Sequence, residues 1–142
     1  MTEHVNVDRI AAPGVDLIHD LDVAPWPWGD GSVEGISARD VFEHVTDPVL
    51  FMRECHRVLI PGGDLWIRTP NVFLSPSDAF TDPTHRRFPT WNTFDYWIEG
   101  TPYYEAQNQA YGGVSFTLAY RGADDGSMVV TLIKHGPGSG SP

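Results

Sequence analysis

The stretch Asp82-Pro83-Thr84-His85-Arg86-Arg87 concentrates groups that move protons. A carboxylate and an imidazole three positions apart can work as an acid–base pair, the acid orienting the ring while the ring exchanges a proton with a substrate. The same pair could ligate a metal with help from elsewhere, but two ligands do not define a metal centre, and none is assigned. The plainer account is a loop tied down by its own side chains. Glu43-His44 is a second such place. There His44 offers a base or a substrate-orienting group, or it satisfies backbone groups at a helix start. Cys55 is the only cysteine, which excludes a disulfide framework and fits a buried, inert thiol. Glu54 and Arg57 have the i, i+3 spacing of a pair on a solvated helix face.

The elements that must position these groups are outlined by the apolar pattern. Val5 and Val7 alternate with polar neighbours, predicting a strand over 4–8, and Val15 to His19 predicts another. Two prolines and two glycines keep the segment from Pro25 to Gly31 out of a helix; Trp26 and Trp28 read as core plugs that pin it as a loop. Val33 to Ala38 predicts a third strand. Asp47-Pro48 predicts a helix start, with Asp47 capping and Pro48 at the first helical position. Phe51, Cys55, Val58 and Leu59 then form one apolar stripe, and Pro61-Gly62-Gly63 is expected to stop the helix. Leu65 to Ile67 predicts a strand, and residues 71–90 a long irregular connection. Thr93 to Glu99 predicts a short helix. Gly113 to Arg121 and Ser127 to Lys134 predict a hairpin turning at Gly122 to Gly126. Strands alternating with helices imply an α/β fold, a mostly parallel sheet closed by a C-terminal antiparallel hairpin. Phe88 to Tyr111 holds eight of the seventeen aromatics, enough to cap a pocket, form an interface or pack as a lid on the sheet.

A length of 142 residues fits one domain, expected over 1–135, followed by a Gly/Ser/Pro tail at 136–142 expected to be disordered. The net charge of −10 excludes broad binding to nucleic-acid backbone and leaves Arg86-Arg87 as the one adjacent basic pair. No apolar run approaches the roughly 18 residues that span a bilayer. Met1 to Arg9 has no apolar core of a signal peptide, so the expected location is the cytoplasm.

Several stretches together resemble class I S-adenosylmethionine-dependent methyltransferases, of the type 11 kind. Glu54 to Ile67, with Pro61-Gly62-Gly63 at its middle, is similar to that family's helix, turn and fifth strand. Asp40-Val41-Phe42-Glu43-His44-Val45 resembles the segment after the fourth strand, Asn6-Val7-Asp8 the end of the second, and Asp20-Leu21 the loop after the third. The closing hairpin resembles strands six and seven. The resemblance implies a Rossmann-like fold and S-adenosylmethionine as cofactor. Asp8 would hold the ribose hydroxyls, Asp20 and Leu21 would face the adenine, and Ala38 and Arg39 would lie near the transferable methyl. His44, Asp82 and His85 would be the catalytic groups. The family's glycine-rich turn and first strand have no counterpart before Asp8, so cofactor binding by the isolated chain is expected to be weak or absent. The missing strand would lie between the second and fourth, leaving edges that invite association. The expectation is a homo-oligomer or a protein partner completing the sheet, with direct pairing of strands near Val5 and Val33 as the alternative. The functional readings left open are a methyltransferase, a non-catalytic partner-binding protein on the same fold, and one half of a split enzyme.

Overall fold

A computed structural model describes residues 4–135; the expected tail lies outside the described residues. Strands β1 (Val7–Asp8) and β2 (Leu17–Ile18) form a short parallel pair, with Val7 opposite Leu17 and Asp8 opposite Ile18. Strand β3 (Val33–Arg39) leads through helix α1 (Pro48–Val58) to β4 (Leu59–Pro70), a parallel crossover unit. Helices α2 (Pro76–Thr81) and α3 (Pro102–Gln107) precede the hairpin of β5 (Phe116–Asp124) and β6 (Ser127–Lys134). The main sheet has the order β3-β4-β6-β5, with both β6 pairings antiparallel, so the whole is mixed α/β.

Helix α1 begins as its sequence requires. The Asp47 carboxylate accepts the amides of Val49 and Leu50 at 3.0 and 3.1 Å, and Pro48 needs no partner for a donor it lacks. Phe51, Cys55 and Val58 turn one face into the core. The expected stop at Pro61-Gly62-Gly63 is corrected. The helix ends at Val58, Leu59 is already extended, and the strand Leu59–Pro70 includes the three residues, with Gly62 at φ 84°. A bulge absorbs the change, with Val33 opposite Leu59 but Gly35 opposite Asp64. A side chain at Gly63 would meet the carbonyls of Glu34 and Ile60 at 2.9 Å, so only glycine lets β4 lie this close to β3.

Three further expectations change. The connection over 71–90 contains α2, started by Ser75 and Pro76, and the same Thr-Pro signal starts α3 at Thr101-Pro102. The expected helix over Thr93 to Glu99 is a 3-10 turn, Thr93–Trp97. The hairpin turn is tighter than the five residues expected: Asp125 and Gly126 make it alone, at φ 47° and 88°, and β5 continues to Asp124. Direct pairing near Val5 and Val33 does not occur. Strand β1 pairs with β2, β3 pairs with β4, and among the described residues no strand lies on the other edge of β3.

The pair Glu54 and Arg57 is also corrected. It does not sit on a solvated face but fastens the tryptophan loop to α1. Glu54 accepts the Trp26 amide at 2.7 Å, while Arg57 donates to the carbonyls of Trp26 and Trp28 and to Asp30. Trp26 thereby packs against Phe51 in the core, as expected of a plug. The aromatic segment is a lid on the sheet: Phe94 meets Phe42 at 4.7 Å, and Arg121 pins it through Asp95 at 2.7 Å.

Leu59 has no exposed surface. Leu59→Ala should therefore cost about 2–5 kcal/mol, against about 1 kcal/mol for Asp47→Ala, which loses only the cap. Urea denaturation of both variants measures the order, and a milder effect of Leu59→Ala would contradict this packing.

Candidate active site

The site is built where the chain leaves β3. Asp40 takes a left-handed conformation at φ 55°, and residues 41–46 turn back without forming a helix. Phe42 enters the core and carries Glu43 inward with it, so both keep only 1% exposure. Glu43 Oε1 accepts the Thr69 hydroxyl at 3.0 Å, which ties the turn to the carboxyl end of β4. Burial pushes the Glu43 carboxyl above its ordinary range, partly offset by its hydrogen bonds.

The second half of the site is clamped onto this turn by Arg86 and Arg87. The Arg86 amide donates to the Glu43 carbonyl at 2.8 Å. The Arg87 guanidinium donates to the carbonyls of Phe42, Val45 and Thr46 and lies over the Phe42 ring, 5.5 Å from its centre. Arg87 thus works as an internal strut, not as part of a basic surface patch.

The result brings His44, Asp82 and His85 together. The two imidazoles meet edge to face at 4.7 Å. His85 Nδ1 lies 2.7 Å from the Ala79 carbonyl. A carbonyl only accepts, so Nδ1 carries the hydrogen and, in the neutral ring, Nε2 carries the lone pair. That Nε2 faces Asp82 Oδ2 at 3.6 Å and Glu43 Oε2 at 4.0 Å. Asp82 Oδ1 accepts both the hydroxyl and the amide of Thr84, and these two bonds hold the Asp82 carboxyl below its ordinary range. With its hydrogen on Asp82, the Thr84 hydroxyl can only accept from His44 Nδ1, at 3.1 Å. His44 Nε2 is then the free nitrogen. The arrangement can accept a proton at either imidazole and stabilise the resulting charge with two carboxylates.

Thr84 is absent from the candidates read in the sequence, and Glu43 stands there only as the neighbour of His44. The Asp82-Pro83-Thr84 spacing is a side-chain-tied turn and signals Thr84. Nothing local signals the burial of Glu43, because Phe42 causes it through the tertiary core.

The residues proposed for a cofactor lie at the carboxyl ends of other strands. Asp8 ends β1, exposed, with Oδ1 accepting the amides of Arg9 and Ile10. Asp20 follows β2, exposed, and accepts the Asp22 amide. Leu21 is half-buried against the core. Ala38 is buried, and Arg39 is exposed at the end of β3. The test of fit to an adenosine group is mixed. The two acids are available to ribose and adenine donors, and among the described residues no glycine-rich turn stands beside them to supply amides to the rest of such a ligand.

Residues 2–67 match the family model for a methyltransferase domain. An 81-residue stretch is 40% identical to a Mycolicibacterium smegmatis protein described as a probable S-adenosylmethionine-dependent methyltransferase, covering 56% of this chain and 31% of that one. The chain therefore matches less than a third of the length of that relative. Among solved structures, a Haloferax volcanii complex between the methyltransferase activator Trm112 and a methyltransferase superposes with a TM-score of 0.59. The identity is 14%, over 89% of this chain and 64% of that one. The [4+2]-cyclase SpnF superposes at 0.56 with 16% identity, over 86% of this chain and 56% of that one. The fold is the Rossmann-like fold of class I methyltransferases, with a sheet smaller than its neighbours'.

No described helix is long and apolar enough to cross a membrane.

A carboxyl raised by burial favours the protonated fold, so its contribution is full below its ordinary 4.5 and is lost as pH rises past it. Glu43→Gln should then raise the denaturation midpoint at pH 8 while converging on the parent near pH 4. His56, lowered by burial to about 4 from 6.5, acts with the opposite sign. Its contribution is present above 6.5 and is lost as pH falls towards 4, in parent and variant alike. Denaturation series across pH separate the two, and a Glu43→Gln gain that grows toward acid would contradict the burial effect.

Proposed function

We propose that the chain is the acceptor-activating part of an S-adenosylmethionine-dependent methyltransferase acting on a protonated oxygen, nitrogen or carbon nucleophile. The observation that carries this reading is the convergence of His44, Asp82 and His85 around buried Glu43, beyond the carboxyl ends of β3 and β4. In open α/β sheets, this is the side on which ligands bind. S-adenosylmethionine, when bound, supplies an electrophilic methyl group. The chain's own work is to hold the acceptor and take its proton. A donor hydrogen placed against an imidazole Nε2 passes to that ring as the acceptor's electron pair is engaged. Asp82 and Glu43 then stabilise the imidazolium, as their placement around His85 Nε2 supports. Asp8, Asp20 and Leu21 are the candidate holders of the adenosine, and Ala38 and Arg39 the candidate lining near the methyl.

Asp8 and Asp20, exposed and with no amide cradle beside them among the described residues, support only weak donor binding. Calorimetry should give a dissociation constant of roughly millimolar for S-adenosylmethionine, lost on Asp8→Ala. A low micromolar constant would show that other residues supply the cradle, and no heat at any concentration would remove the donor. With labelled donor and a panel of phenols and amines, His85→Gln should lower transfer by about 10²–10⁴-fold. Transfer undiminished in both His85→Gln and His44→Gln would remove the proton-accepting role.

A second reading is favoured by the edge of β3. Its backbone groups have no strand partner among the described residues, and its residues are largely exposed. Such an edge takes a strand from a protein partner or a second copy, and one structural neighbour is itself a complex with an activator. Light scattering at high micromolar concentration should give a dimer mass if copies pair there. A monomer mass that persists at that concentration would remove self-pairing and leave a different protein as the partner.

A further inference from the structure

We propose that Glu43, His44 and His85 form a binding site for a divalent transition cation of the zinc class, with one coordination position left open. Each residue offers one ligand atom, and the three atoms lie within 4.8 Å of one another. Ligands around a zinc-class ion stand about 3.3 Å apart, as bonds near 2.0–2.1 Å and tetrahedral angles require. Glu43 Oε2 and His85 Nε2 are at 4.0 Å, so closure needs a contraction below 1 Å there. The adjustable members are the two imidazoles, both on half-buried residues, while Glu43 is buried.

What separates this cluster from a chance meeting of polar groups is the layer of hydrogen bonds behind it. Metal-bound histidines usually donate their other nitrogen to an oxygen, which fixes ring and tautomer. His85 does so to the Ala79 carbonyl at 2.7 Å, and His44 to the Thr84 hydroxyl at 3.1 Å. Glu43 is fixed in the same manner by the Thr69 hydroxyl, leaving Oε2 turned toward His85. All three ligand atoms are thus presented by groups that are already oriented. Asp82 Oδ2, 3.6 Å from His85 Nε2, adds negative charge at the edge of the site.

Two imidazoles and one carboxylate select a borderline cation over magnesium or calcium, which take shells of oxygen. With three protein ligands the site keeps room for a water or a substrate atom. The inference does not rest on the methyl-transfer reading, since it is tested without a methyl donor. If both hold, the cation would act on the acceptor as a Lewis acid in place of the imidazole base.

The untagged full chain, stripped with chelator, should be titrated with Co²⁺ and followed by its visible absorption. The expected result is saturable binding of one Co²⁺ per chain, with the intense bands of a four- or five-coordinate nitrogen and oxygen site. Zn²⁺ should displace it and Mg²⁺ should not. His44→Ala and His85→Ala should each weaken binding by at least about tenfold, with circular dichroism checking that the fold survives. Absence of saturable bands would overturn the proposal. So would bands of unchanged affinity in His44→Ala, because the cation would then lie at another histidine.

Discussion

The turn over residues 41–46 leaves its carbonyls without helical partners, and Arg87 satisfies three of them with one guanidinium. Buried carbonyls left alone would cost on the order of 1–3 kcal/mol each. A rigid fork of donors is the side chain that can meet several at once. Because the guanidinium also lies over Phe42, its position is referred directly to the core. The same contact fixes where residues 82–89 can run. His85 must then stand beside His44, and both must stand beside Glu43. The site is thereby a consequence of backbone satisfaction in an irregular turn. Burial pushes the Arg87 guanidinium below its ordinary range, opposed by nearby acids that include Asp22, Asp47 and Glu43.

A second strut holds the rest of the chain to the sheet. The pair β1-β2 shares no ladder with β3, so its attachment has to come from side chains. Asp22 accepts both the amide and the hydroxyl of Thr46, joining the loop after β2 to the turn that carries the site. Glu54 and Arg57 do the same from α1 to the tryptophan loop. Arg57 holds the Glu54 carboxyl below its ordinary range, opposing the burial that would raise it. Position in this half of the molecule therefore depends on charged hydrogen bonds between loops, where a complete sheet would use strand pairing.

What could be read from the sequence follows from range. Asp47-Pro48 acts within four residues, and the structure has the helix start it dictates. Asp82 and His85 are three apart, and they meet. Ser75-Pro76 and Thr101-Pro102 carry the same kind of signal, yet Ser75-Pro76 lies among Pro70, Pro83 and Pro89, surroundings that argue for a loop. Strand β4 carries Pro61-Gly62-Gly63 as a bulge because β3 pairs with Leu59 before it and Asp64 after it, a term that no local reading contains. Glu43 and Arg87 are the same case at the site. An acid after an aromatic residue and an arginine after another arginine look like surface, and only the core position of Phe42 makes both of them internal.

The fold by itself does not decide the chemistry, since a [4+2]-cyclase superposes on this chain about as well as a methyltransferase complex does. What narrows it is the composition of the place beyond β3 and β4 where Glu43, His44, Asp82 and His85 gather. Two imidazoles meet edge to face with their Nδ1 hydrogens committed to oxygens, and a buried carboxylate lies 4.0 Å from His85 Nε2. Such a cluster has no stabilising purpose that an apolar set of the same volume would not serve better, because a desolvated carboxylate opposes folding. It does have a use for an acceptor that must lose a proton, or for a cation that makes it lose one. Both uses need an Nε2 left uncapped, and the hydrogen bonds on the opposite nitrogens leave it so.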